Sequence, residues 1–163
     1  MEYKKIALTG STGGLGVKIC DILAKRGSDI VLVDRNREKS EQNAKRIKEI
    51  NPEINVEFVS CDLADLNSVK RAKDELIAIG VDALILNSGI YKVPLKVCDS
   101  GYNNVFQVNF ISQYYLARSL WEESKSLKKI IVTSSIAHDF TKIDENDVDF
   151  SKRKANSKIY GNS

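Results

Sequence analysis

Thr9-Gly10-Ser11-Thr12-Gly13-Gly14-Leu15-Gly16 follows the apolar run Ile6, Ala7, Leu8 and opens a helical pattern. A strand that turns through closely spaced glycines into a helix start makes a backbone cradle for the pyrophosphate of a dinucleotide. In this reading Gly10 permits the tight turn, Gly14 lets the main chain approach the phosphates, and Gly16 lets helix and strand pack closely. The free amides of the first helical turn, at the positive end of its dipole, face the anion. Glycines in turns are often only turns, so the rest of the chain has to decide.

Strand and helix signals alternate along the sequence, which predicts a parallel sheet covered by helices on both faces. The first strand is about Lys4 to Thr9, followed by a helix with Leu15, Ile19, Ile22 and Leu23 on one face, stopping near Gly27. Ile30 to Val33 is a continuous apolar run, as a strand buried on both faces requires. A charged helix from about Arg37 to Ile50 has an apolar stripe limited to Ala44, Ile47 and Ile50, and Pro52 stops it. Val56 to Val59 is a third strand, and Val69, Ala72, Leu76 and Ile79 form a helical face that ends at Gly80. Ala83 to Leu86 is a fourth strand, Tyr102 to Ser124 a longer helix, and Ile130 to Thr133 a fifth strand. His138 to Lys158 is polar without a clear period and reads as a loop with short helical pieces.

Composition narrows the function classes. The 163 residues read as one domain, with 42% hydrophobic and 29% charged residues. Such a chain buries roughly two-thirds of the surface its unfolded form exposes. No apolar stretch reaches the ~20 residues of a membrane span, and the N-terminus has no signal-peptide core. Cys20, Cys61 and Cys98 lack metal-ligand spacing, and their odd number argues for a reducing, cytoplasmic setting rather than a disulfide framework. The net charge of +3 is modest, and Lys152-Arg153-Lys154 lies beside the acidic Asp144, Glu145, Asp147 and Asp149. Nucleic-acid binding is not expected.

Thr-Gly-x-x-x-Gly-x-Gly is the spacing from Thr9 to Gly16, and it resembles the short-chain dehydrogenase/reductase family. Five further motifs in the same order extend the resemblance to Ser163. Asp34 closes the second strand, where a carboxylate accepts hydrogen bonds from the adenosine ribose and repels a 2′-phosphate. Arg35 beside it could clamp that phosphate instead. The carboxylate's place at the strand end tips the expectation toward NAD over NADP. The resemblance gives Asp62, with Leu63, a place near the adenine. It also matches Asn87-Ser88-Gly89 to the family's Asn-Asn-Ala-Gly segment, with Leu86 replacing the first asparagine.

Asn109 sits inside the apolar stretch Val105 to Ile111, and a buried amide there calls for partners. The resemblance makes it the catalytic asparagine that holds a water in a proton relay. Ser134-Ser135-Ile136-Ala137-His138 follows the fifth strand, at the carboxyl edge where ligands bind in such sheets. Ser135 matches the catalytic serine, with Ser134 as the fallback. His138, the lone histidine, is read as structural or substrate-lining, because no serine–acid arrangement supports a hydrolase triad.

Tyr160-Gly161-Asn162-Ser163 resembles the start of the family's Tyr-x-x-x-Lys motif, in the Tyr-Gly-x-Ser-Lys form of its retinol-dehydrogenase-like branch. The chain stops one residue before that lysine. A tyrosine titrating near 10 is a poor proton shuttle at neutral pH, and about 4 kcal/mol of differential stabilisation must come from a neighbouring ammonium and the nicotinamide charge. Without the following residues, a helix near Tyr160 is too short to stand alone, so Tyr160 is expected to be mobile or misplaced. The fifth strand is likewise expected to be an exposed apolar edge.

The resemblance therefore implies a Rossmann-type α/β fold with strand order 3-2-1-4-5. It implies an NAD(P)-dependent oxidoreductase interconverting a carbonyl and a secondary or primary alcohol, with Asn109, Ser135 and Tyr160 as catalytic residues and no metal. Members of the family often form homodimers through the long helix and the helix bearing the tyrosine, and the oligomeric state of this chain stays open. Two rivals stay open: a dinucleotide-binding module without turnover, and a sugar-nucleotide epimerase, against which the Thr9 to Gly16 spacing counts.

Overall fold

The computed structural model describes residues 3–152 and 156–163. Five strands form one parallel sheet: β1 (Lys5–Thr9), β2 (Asp29–Asp34), β3 (Val56–Ser60), β4 (Ala83–Leu86) and β5 (Lys129–Val132). Their order is β3-β2-β1-β4-β5, as the sequence implied. Leu8 pairs in register with Leu32 on one side and Ile85 on the other.

The alternation of side chains along each strand builds a core on each face. Ile6, Leu8, Ile30 and Leu32 face α1 (Gly14–Lys25) and α2 (Arg37–Ile50), where they meet Cys20, Leu23 and Ile47. Ala7, Val31, Val33 and Leu84 face the opposite way, onto Leu76 of α3 (Leu66–Ile79) and onto Leu116 and Leu120. Each fully buried aliphatic side chain contributes about 1.5–3 kcal/mol.

Helix ends follow local chemistry. Asn36 caps α2 by accepting from the Lys39 amide, and Asp65 caps α3 by accepting from the Asn67 amide. Gly80 ends α3 in the left-handed region, φ +75°.

The long helix expected from Tyr102 to Ser124 is an unbroken rod of three parts. They are α4 (Asn104–Phe106), a π-turn (Gln107–Ile111) and α5 (Ser112–Glu123). The polar segment after β5 contains a 3₁₀ helix, Ile136–Phe140, and α6, Asn156–Asn162. Arg153 and Lys154 of the basic cluster lie outside the described residues.

Among the described residues β5 pairs only with β4, and Ile131 and Val132 are exposed. The short α6 is nevertheless docked. Ile159 is fully buried against Val105, Phe106 and Phe150. A Cβ on Gly161 would come within 2.8 Å of the Ala137 carbonyl. Packing on the 3₁₀ helix supplies what length does not.

Candidate dinucleotide site at the carboxyl edge of the sheet

The turn after β1 is closed by its own atoms. Gly10 has φ +69°, and the Gly13 amide donates back to the Gly10 carbonyl at 3.3 Å. A Cβ on Gly16 would lie 2.0 Å from that same carbonyl, so Gly16 serves close packing of helix against loop rather than against strand. Gly14 has nothing within 4 Å of an added Cβ, leaving open space where the main chain meets a ligand.

No side chain caps α1, and Val17 makes the first backbone bond, to the Gly13 carbonyl at 2.8 Å. The amides of Gly14, Leu15 and Gly16 therefore have no protein acceptor among the described residues. Three free donors at the positive end of a helix fit an anion such as a pyrophosphate.

Thr9 joins the two central loops. Its hydroxyl oxygen accepts from the amides of Asn87 at 3.0 Å and Ser88 at 3.1 Å. Asn87 in turn donates its side-chain amide to the carbonyls of Thr9 (3.3 Å) and Gly10 (3.1 Å). A Cβ on Gly10 would lie 2.8 Å from Ser88 Oγ, so the β1 and β4 exits are in contact. Gly89 lies beside Asn109 Oδ1.

Asp34 does not present its carboxylate to solvent. It is 7% exposed, accepts from the Ser11 hydroxyl, and accepts from Ser40 Oγ at 3.2 Å. Burial pushes its carboxyl up from the ordinary value, while the Ser11 and Ser40 hydroxyls and the amides of Ser11 and Thr12 pull it back. Arg35 is exposed and makes no ion pair among the described residues. Asp62 closes a turn by accepting from the Ala64 amide at 2.9 Å. The carbonyl of buried Leu63 accepts from Ser112 Oγ at 2.6 Å and from Gln107 Nε2 at 3.3 Å.

Asn109 lies on the π-turn, with Oδ1 accepting from the Ile90 amide at 2.8 Å. Its Nδ2 donates to the Ile90 carbonyl and to Ser163 Oγ, both at 3.1 Å. The structure thus joins Asn109 to the segment bearing Tyr160, whose carbonyl accepts from Ser163 Oγ at 3.2 Å. The Tyr160 ring packs on Tyr91 with centroids 4.5 Å apart. No hydrogen bond joins the Tyr160 hydroxyl to Ser135 or Asn109. Ser135 Oγ instead accepts from the Ala137 amide at 3.2 Å, capping the 3₁₀ helix. His138 Nδ1 sits 2.6 Å from the Ser135 carbonyl, and Nε2 lies 2.9 Å from Asp139.

Sequence reasoning missed Ser40, Asn43 and Gln113. Gln113 donates to the carbonyls of Ser88 (2.7 Å) and Asn109 (3.1 Å), and so links the β4 exit to the π-turn. Its position four residues after Asn109 is the available signal.

Burial raises the thiols of Cys20 to about 11 and Cys61 to about 12, keeping both neutral near pH 7. Among the described residues no group of three His, Cys, Asp or Glu side chains is placed to hold a metal, and no helix is long and apolar enough to cross a membrane.

A family model described as short chain dehydrogenase matches residues 4–144. Human retinol dehydrogenase 13 is 33% identical over 161 residues, covering 95% of this chain and 48% of that protein. An uncharacterised Mycobacterium paratuberculosis protein of known structure superposes with a TM-score of 0.83 at 28% identity, over 98% of this chain and 56% of that one. The L-sorbose reductase of Gluconobacter frateurii, solved with NADPH and L-sorbose, has the same fold, with a TM-score of 0.74 and 23% identity over 99% of this chain and 59% of that one. The chain spans about half the length of the curated relative.

Proposed function

This chain belongs to the short-chain dehydrogenase/reductase family, and on that premise we propose that it is the dinucleotide-binding part of an NAD(P)-dependent oxidoreductase. The substrate class is a small-molecule carbonyl or a primary or secondary alcohol. The start of α1 carries this reading: free amides at Gly14, Leu15 and Gly16, open space beside Gly14, and a loop held by Thr9, Asn87 and Asp34. A bound nicotinamide supplies or accepts the hydride. Ser135 donates a hydrogen bond to the substrate oxygen, Tyr160 passes the proton, and Asn109 supports the relay. Leu63 and Asp62 would border the adenine, and Gly89 would take part in holding the cofactor.

The dinucleotide we propose is NADP(H). Asp34 already accepts from two hydroxyls and is nearly buried, so a ribose hydroxyl gains little there. Exposed Arg35 beside it suits a 2′-phosphate. Titrating reduced-nicotinamide fluorescence with the 163-residue chain tests both points. Binding of neither NADPH nor NADH overturns the reading. Arg35→Ala should weaken NADPH by about tenfold or more and leave NADH unchanged; the reverse preference would restore NAD.

A second reading, a binding module without turnover, is favoured by the lack of a hydrogen bond between Tyr160 and Ser135. Binding without loss of reduced-nicotinamide absorbance on a panel of carbonyl compounds would select it. The outer face of α5 and the π-turn exposes Phe110, Tyr114 and Trp121 at helical spacing, which supports a homodimer through that face. Sedimentation of Trp121→Glu against the parent chain tests this.

A further inference from the structure

α2 turns two polar side chains inward that helix packing does not explain. Ser40 is fully buried and Asn43 is 5% exposed. Ser40 reaches Asp34, as described, while Asn43 Nδ2 donates to the Ser11 carbonyl at 3.0 Å and lies 3.6 Å from Cys20 Sγ. The orientation of the Asn43 amide is fixed from outside. Arg46 has only donors, and its Nη2 lies 2.7 Å from Asn43 Oδ1. The amide oxygen therefore faces Arg46, and the NH₂ faces Ser11. Arg46 is held by α1 in turn, through the Asp21 carboxylate and the Val17 carbonyl at 3.3 Å.

Ser11 is thereby gripped from both sides. Asn43 holds its carbonyl, while its hydroxyl donates to the Asp34 carboxylate. On either side stand Gly10 and Gly13-Gly14, which have too much backbone freedom to fix their own conformation. A glycine-rich loop that is ordered before its ligand arrives loses less entropy on binding. The grip comes from a helix that supplies none of the phosphate-facing amides.

We propose that Asn43, aligned by Arg46 and Asp21, is a positioning residue for the dinucleotide, presetting the loop amides for the pyrophosphate. This rests on the dinucleotide-binding reading above. A merely structural role would lower the melting temperature of Asn43 variants without selectively changing affinity.

The test compares the parent chain with Asn43→Leu, Arg46→Met and the double variant, measuring NADPH and NADH dissociation constants at a temperature where all are folded. Asn43→Leu should weaken both dinucleotides by about tenfold. Arg46→Met should weaken them in the same direction, and the double variant should be no worse than Asn43→Leu, because Arg46 acts through Asn43. Folded Asn43→Leu with parental affinity overturns the proposal. Should Asn43→Leu not fold, Arg46→Met with parental affinity overturns it equally. A parent chain that binds neither dinucleotide removes the function reading and this proposal with it. A binding parent with indifferent variants removes only the positioning role.

Discussion

The two ends of the same sheet are finished in opposite ways. At the amino ends of the strands, side chains close the backbone's open valences. Asp82 accepts from the amides of Lys4 (3.2 Å) and Lys5 (3.0 Å) and from Lys128 Nζ (3.0 Å), tying the starts of β1, β4 and β5. Asp29 accepts from the Asn55 amide at 2.7 Å, tying β2 to β3. At the carboxyl ends, Thr9, Asn87, Asp34 and Asn109 hold the loops equally firmly, yet the amides of Gly14, Leu15 and Gly16 stay open. Both ends are tied by side chains, and among the described residues the carboxyl end leaves the three amides at the start of α1 without a protein acceptor.

Substitutions that break this contrast should differ most at the carboxyl end. Gly16→Ala puts a methyl 2.0 Å from the Gly10 carbonyl, backbone against backbone. It should cost about 3 kcal/mol or more and abolish dinucleotide binding, read by thermal melting and fluorescence titration. Thr9→Val keeps the shape but strips the acceptor from two amides, those of Asn87 and Ser88. Denaturant unfolding should show a loss of about 2–4 kcal/mol.

The amino end should respond more mildly and with a pH signature. The Lys128 ammonium, then the Lys5 and Lys4 amides, hold the Asp82 carboxyl below its ordinary value. Its contribution is therefore present above the unfolded-state value of about 3.9 and lost as pH falls through the lower folded value. Asp82→Asn should cost about 1 kcal/mol at neutral pH, and the gap to the parent chain should close in melts below about pH 4. Gly14→Ala should be the smallest in stability: neutral, or stabilising by about 0.5–1 kcal/mol in a helix. Its methyl should still weaken dinucleotide binding, which would separate ligand space from folding space at one atom.

Much of the fold was legible because burial on both faces writes itself as continuous apolar runs, as in Ile30 to Val33 and Ala83 to Leu86. Gly27 and Gly80 marked helix ends because the chain there needs a left-handed residue. The site was legible where backbone chemistry demands a residue type, at Gly10 and Gly16. It was not legible where side chains bond across elements. The pattern of α2 assigns Ser40 and Asn43 to solvent, because polarity is read as exposure, and the partners that reverse this lie in the loop after β1. For the same reason nothing in the sequence announced that the Asp34 carboxylate accepts from Ser11 and Ser40. The π-turn was hidden because one extra residue per turn hardly disturbs an apolar stripe.

That π-turn carries a corollary for chain length. Its wide winding makes the rod behave like an α-helix with a single inserted residue. Deleting exposed Phe110 would close the wide turn to ordinary winding and leave α4 and α5 nearly in phase, because the surplus residue is absorbed within one turn. Val105 and Phe106 could then still point at Phe150 while Leu116 and Leu120 point at the sheet. What the deletion would undo is local: the widened turn is where the Asn109 side chain meets the Ile90 backbone.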